Sequence, residues 1–358
     1  MDSSQNLSRP LRLLVIALLF SVFASNAAAT APDWKQRLEQ RLIEIDTDYP
    51  GELGVYVQDL TTGDAVSFRG EQSWYLASGI KVPVAIEVMR RIEQGEFSLD
   101  TTLRLLSSDY VDGAGETNWH PPGTELSVRF LLEQMLVRSD NTATDVLIRQ
   151  VGLDAVNNAA RQLAPEGLGE ITTLADVRRH AYSAFHESAF TLQAKDFLAL
   201  RQANQEQERI ALLATILDVE PTDFAVADLR TAFERYYATN LNGGQLTAFS
   251  TLLAALAQGQ ALGADGTAYL MDVLSRIQTG DRRIKAGLPE SVRFAHKTGT
   301  QYARTCDMGV ATVAANGRRI VIAACTRGEL SRARSEAALR AVGKAVTESG
   351  VFQITAAT

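Results

Sequence analysis

Apolar positions recur at helical intervals from Trp34 to Ile45, where Trp34, Leu38, Leu42 and Ile45 fall on one stripe and predict an amphipathic helix. The period then shortens. Gly51 to Leu60 and Ala65 to Arg69 alternate as strands do, and Thr61-Thr62-Gly63-Asp64 between them carries the signature of a hairpin turn. A helix is predicted over Val82 to Ile92, with Val84, Val88 and Ile92 in phase and Gly95 as its stop. Ser107 to Gly123, rich in Asp, Gly and Pro, reads as a loop across the front of the molecule. Leu126 to Leu136 and Thr142 to Gln150 return to the helical period, as does most of the chain from Leu153 to Ile277, punctuated at Gly243-Gly244 and between Gly259 and Gly266. From Val292 the text is strand-like again: Val292 to Thr298, Asp307 to Ala314, and Ile320 to Cys325, the last two joined by an Asn316-Gly317 turn. Leu330 to Glu348 closes as a helix.

Strands at both ends with helices between them predict an α+β fold. An antiparallel sheet is flanked by the terminal helices, and an all-helical lobe is inserted after the second strand. The expected boundaries are a sheet lobe from 30–70 and 285–358, and a helical lobe over 71–284, in one domain spanning 30–358.

Composition changes this picture at one end only. The chain has 358 residues, 46% hydrophobic and 22% charged, enough for a large core. Residues 1–29 differ: Arg9 and Arg12 precede an apolar run from Leu13 to Ala24, and Ala27-Ala28-Ala29 supplies a small-residue cleavage pattern. This predicts a secretory signal peptide, since a bilayer span takes about 20 apolar residues. A secreted, periplasmic protein with no membrane anchor after cleavage is expected. The net charge of −7 becomes one unit more negative without the leader, which argues against a nucleic-acid partner.

Candidate chemistry starts at Leu76-Ala77-Ser78-Gly79-Ile80-Lys81. A hydroxyl and an amine three residues apart share one face of a helix start, where unpaired N–H groups favour developing negative charge. Ser78 becomes a nucleophile if Lys81, with its pKa lowered by burial or a second cation, takes its proton. Alone, the spacing carries little weight. Ser139-Asp140-Asn141 and Lys297-Thr298-Gly299-Thr300 follow it in order.

With all three motifs the chain resembles the penicillin-recognising serine hydrolases, most closely class A β-lactamases. The resemblance runs from near Trp34 to the C-terminus and implies a β-lactamase/transpeptidase-like fold, no cofactor and no metal. It implies that Ser139 relays a proton to the leaving nitrogen, and that Asn141 hydrogen-bonds Lys81 and the substrate amide. Lys297 would meet a substrate carboxylate, with Thr298 beside it, and Gly299 would let the ligand approach the strand. Backbone N–H groups of Ser78 and Thr300 would form the oxyanion hole, each donor worth about 3–4 kcal/mol. Arg304 and Arg327 are candidates for a second cation. The expected substrate is a β-lactam opened through a Ser78 acyl-enzyme by a monomeric protein. A D-alanyl-D-alanine peptidase acting on cell-wall peptides and a penicillin-binding receptor that never turns over are the alternatives.

Two departures stand out. The class A deacylating glutamate, in a Glu-x-x-Leu-Asn pattern, is absent, and aligning Ile171-Thr172-Thr173-Leu174 with the start of that loop puts Arg178 at its position. The interval from Ser139 to Lys297 is also longer than the family pattern. The excess falls between Tyr182 and Asn240, where Phe197, Tyr236 and Tyr237 predict a packed helical insertion around 183–240. Glu187, or Glu170, is the expected replacement base if a different loop brings it into the cleft. Rival chemistries lack support: His120, His180, His186 and His296 have no metal-ligand spacing, and no Gly-x-Ser-x-Gly elbow surrounds Ser78. The Asn316-Gly317 turn makes Cys306 and Cys325 same-face diagonal neighbours, leaving a disulfide and buried free thiols both open.

Overall fold

The computed structural model describes residues 33–353; the expected leader lies outside them. Helix α1 (Trp34–Asp48) starts where Asp33 caps the Gln36 N–H at 2.9 Å, and it buries Leu38 and Leu42. Strands β1 (Glu52–Asp59) and β2 (Ala65–Phe68) form the predicted hairpin, and β3 (Ser73–Tyr75) leads into a short 3-10 turn, Ala77–Ile80. Helix α2 (Lys81–Glu93) follows, and its residues from Lys81 to Met89 are all buried. A helix apolar on every side belongs in a core.

Next come β4 (Thr102–Arg104), the front loop, β5 (Glu125–Ser127) and α3 (Val128–Glu133), which begins where Ser127 caps the Phe130 N–H. The single helix expected over Leu126 to Leu136 is thus a strand, a short α-helix and a π turn, Gln134–Arg138. Helices α4 (Asn141–Val151), α5 (Leu153–Leu163), α6 (Leu174–Ser183), α7 (Ala194–Gln202), α8 (Glu206–Leu217) and α9 (Leu229–Ala238) precede β6 (Gly243–Gln245), which pairs with β3. Helices α10 (Leu246–Ala257) and α11 (Ala264–Ser275) return the chain to the sheet, as β7 (Val292–Gln301), β8 (Arg304–Val313) and β9 (Arg319–Arg327); α12 (Arg332–Ser349) closes it.

The five-stranded sheet runs β2-β1-β9-β8-β7, antiparallel throughout. Its central strand β9 is buried on both faces. Ile320, Ile322 and Ala324 meet α1 and α12 through Leu38, Leu42, Leu339 and Val346, whereas Val321 and Ala323 face the helical lobe, packing with Leu246, Phe249 and Leu253 of α10. Each such leucine contributes about 2 kcal/mol through burial. The edge strand β7 lies against the Ala77–Ile80 turn, which puts the unpaired edge of the sheet beside Ser78.

The β8–β9 register differs from the expected one. Thr312 pairs with Arg319 and the Val313 N–H donates to Arg318 O at 2.9 Å, so the connection is the four-residue loop 314–317 with Gly317 at φ +69°. That places Cys306 directly opposite Cys325, at a Cα separation of 4.1 Å, and the two form a disulfide.

Candidate active site

Ser78 sits half-buried in the 3-10 turn ahead of α2 and lines a cavity of about 400 Å³. Its turn is wedged under β7. A Cβ at Gly299 would come within 2.5 Å of Leu76 O and 3.1 Å of the Ala77 Cβ, so only glycine lets the strand pack this closely. Gly299 therefore serves the packing of the serine turn, and the expectation that it clears space for a ligand is corrected: it does not line the cavity. Ala77 adopts φ +49°, a left-handed conformation that costs about 1–2 kcal/mol outside glycine, immediately before the serine.

Lys81 is fully buried one turn later. Its ammonium donates to Ser139 O at 2.6 Å, to Asn141 Oδ1 at 2.8 Å and to Ser139 Oγ at 3.3 Å. Burial lowers its pKa to about 7; the carboxylates of Asp140 and Asp145 oppose the shift and the Arg178 cation adds to it. The Ser78 hydroxyl makes no side-chain hydrogen bond among the described residues.

The π turn after α3 delivers Ser139 in the left-handed region, φ +63°, so that both its carbonyl and its hydroxyl reach the lysines. Asp140 then caps α4 through the Ala143 N–H at 2.9 Å and holds the front loop through the Thr117 N–H at 3.0 Å. Gly115 approaches Asp140 so closely that a Cβ would overlap its side chain. Asn141 is oriented by donating to Asp112 O at 2.7 Å while accepting from Lys81. The middle residue of the Ser-Asp-Asn motif thus caps, and the outer two point at the site.

Lys297 is placed against Ser139, which lines the cavity. It is completely buried and absent from the cavity lining, and its ammonium ends on Ser139 Oγ at 3.0 Å and Thr298 O at 3.1 Å. Burial, with Lys81 and Arg283 nearby, holds its pKa well below the ordinary lysine value. The cavity is lined instead by Thr298 and Thr300, on the opposite strand face, with the Thr298 hydroxyl 2.6 Å from that of Thr279. Arg283, in the polar loop after α11, also lines it. This arginine donates to Gly299 O at 2.9 Å, Cys306 O at 2.8 Å and the Thr300 hydroxyl at 2.7 Å. Sequence reasoning missed Arg283, and no periodicity or motif marks it.

Arg304 and Arg327 are not brought to this cavity: the first pairs with Glu234 and lies over Tyr237, the second pairs with Glu52 and lies over Trp74. Glu187 and Glu170 are not brought there either. Glu187 is exposed at the start of a 3-10 turn, Glu170 is exposed before α6, and neither lines the cavity, which corrects the expectation of a rescuing carboxylate. The physical reason is how α6 is anchored. Asp145 accepts the Leu174 and Ala175 N–H groups at 2.7 and 2.9 Å, which fixes α6 so that Leu174, Val177 and Arg178 face inward and Glu187 lies beyond its far end. Among the described residues, the one carboxylate lining the cavity is Asp112. It is bound by Arg178, through Nε at 2.6 Å and Nη2 at 3.1 Å.

The sequence profile of the β-lactamase enzyme family matches residues 36–349. The chain belongs to that family. It is 25% identical over 318 residues to a β-lactamase of Amycolatopsis lactamdurans, covering 89% of this chain and 86% of the relative, and 24% identical over 340 residues to β-lactamase CTX-M-8 of Citrobacter amalonaticus, covering 94% and 98%. Among solved structures it resembles PBP-A in a leucine-to-glutamate variant described as an acyl-enzyme complex with penicillin G. That match has a TM-score of 0.65 at 20% identity and covers 89% of this chain and 98% of that one, a likeness of fold. The protein is a serine β-lactamase-like hydrolase of the β-lactamase/transpeptidase fold. No helix of the described residues is long and apolar enough to cross a membrane.

Proposed function

We propose that the protein opens β-lactam amides by transferring the acyl group to Ser78 Oγ, that the acyl-enzyme is then hydrolysed slowly, and that it does so as a monomer outside the cytoplasm. The observation that carries this reading is Lys81: a buried amine with a pKa near 7, one helical turn from Ser78 and held by Ser139 and Asn141. Neutral Lys81 accepts the Ser78 proton as Oγ bonds to the carbonyl carbon. The negative oxygen faces the N–H groups of Ser78 and Thr300, whose residues border the same cavity. As the C–N bond breaks, Ser139 gives its proton to the leaving nitrogen and regains one from Lys81 or Lys297, both within reach of Ser139 Oγ. In this scheme Lys297 positions Ser139 and replenishes its proton, and the hydroxyls of Thr298 and Thr300, backed by Arg283, receive the substrate carboxylate.

Hydrolysis of the ester needs a base beside a water, and the cavity's carboxylate is engaged by Arg178. Lys81 must then act a second time, which supports slow deacylation. Export is supported by the Cys306–Cys325 disulfide, a bond that persists in oxidising compartments. The test is intact-mass analysis after exposure to benzylpenicillin: the wild type gains one adduct and Ser78→Ala gains none. An adduct on Ser78→Ala would sink the assignment.

A further inference from the structure

The cavity that holds Ser78 continues past Arg178 into the segment expected as an insertion, where Arg201 at the end of α7 and Arg209 in α8 line it together with Leu229 and Phe233 of α9. In a chain of net charge −7, six arginines among the described residues line this cavity against one carboxylate, and Arg178 takes that one. Three of the others are engaged: Arg138 with Glu116, and Arg283 and Arg332 with Glu336. Arg201 and Arg209 are not neutralised. The Arg201 side chain has no hydrogen-bond or ion-pair partner among the described residues. Arg209 donates through Nη2 to Ala203 O at 2.9 Å and lies near the uncharged Tyr182 hydroxyl, while its buried Nε meets no acceptor among the described residues. Of the two acids in the first turn of α8, Glu206 accepts the Leu229 N–H at 2.9 Å and Glu208 accepts the Gln205 N–H at 3.4 Å. A buried donor without an acceptor is costly, and two guanidinium groups in a walled cleft concentrate positive potential.

We propose that this arm of the cavity binds a carboxylate on the acyl side of the substrate, remote from the amide that Ser78 attacks; the proposal rests on Ser78 as the nucleophile. Leu229 and Phe233, with Tyr302 stacked 5.6 Å from Phe233, supply an apolar wall for the linker between amide and anion. The planar guanidinium fork matches a carboxylate's two oxygens. The substrate class is therefore a β-lactam or peptide amide with an anionic acyl side chain.

The experiment compares acylation efficiency for adipoyl- and hexanoyl-6-aminopenicillanate, which differ by the terminal carboxylate. The wild type should favour the adipoyl compound by roughly tenfold, the worth of one charge-assisted hydrogen-bonded pair, and the ratio should fall as salt is raised. Arg201→Gln, an exposed change, should lower the ratio, and Arg201→Gln with Arg209→Gln should bring it to about one, with the melting temperature reporting whether the double variant is folded. Calorimetric binding of both compounds to Ser78→Ala reads the same preference without chemistry. Equal acylation and equal affinity for the two compounds, or a preference that survives Arg201→Gln undiminished, would overturn the proposal. A preference in binding without acylation of the wild type would uphold the carboxylate site and overturn the nucleophile instead.

Discussion

Arg178 closes on Asp112 through two nitrogens, at 2.6 and 3.1 Å, and so occupies the one carboxylate that the described residues bring to the cleft. Burial disfavours the guanidinium charge, but Asp112 outweighs it and holds Arg178 above the ordinary arginine range. Both side chains are largely buried, so Arg178→Met should leave an uncompensated carboxylate and destabilise the fold by about 3 kcal/mol, measured by urea unfolding. A loss near zero would mean that the pair is solvated and that Asp112 is free.

Lys81 has its pKa lowered to about 7, so its neutral form accumulates as pH rises through that value. Acylation should climb with pH, about tenfold per unit below the inflection, and level off above it. Because the Arg178 cation contributes to the depression, Arg178→Met should move the inflection upward. Stopped-flow acylation across the range decides this; a flat profile, or an inflection in the ordinary lysine range, would remove Lys81 as the base.

Lys297 ends on Ser139 Oγ, at the wall of the cavity. Lys297→Ala should therefore slow acylation by roughly a hundredfold, the contribution of a positioned proton donor, for a β-lactam acid and for its neutral methyl ester alike. The acid-to-ester ratio of rates is the readout. Loss confined to the acid would mean that Lys297 meets the carboxylate directly.

Leu174 faces the cavity from the first turn of α6, where its N–H is held by Asp145. Leu174→Glu should supply the missing base and raise the deacylation rate by roughly a hundredfold without a comparable change in acylation. Single-turnover decay of the isolated acyl-enzyme measures it. An unchanged decay would place the hydrolytic water elsewhere.

The long elements were legible because their periods are long enough to read. Leu38 and Leu42 mark α1, and the alternation on either side of Gly63 marks β1 and β2. Strands β3 to β6 were not, since three residues carry no period and their pairing is a tertiary fact. Among site residues, the structure brings Ser78, Lys81, Ser139 and Asn141 together. Lys297 and Gly299 share the strand face turned to Ser139 and to the Ser78 turn, but strand alternation does not tell that one ends on the serine hydroxyl and the other packs on the turn. Asp112, Thr279 and Arg283 come from polar loops whose composition reads only as solvated chain. Cys306 and Cys325 paired directly because the loop is longer than the two residues that signal it.

The central claim is that acylation of Ser78 is competent and deacylation is limiting, and a pre-steady-state burst with a chromogenic cephalosporin tests it most directly. One equivalent of product per enzyme should appear fast, followed by a much slower steady phase, with the acyl adduct on Ser78 dominant in acid-quenched mass spectra throughout. Linear product release from the first turnover, with no adduct trapped, would contradict the account and mean that the cleft contains an effective base for hydrolysis.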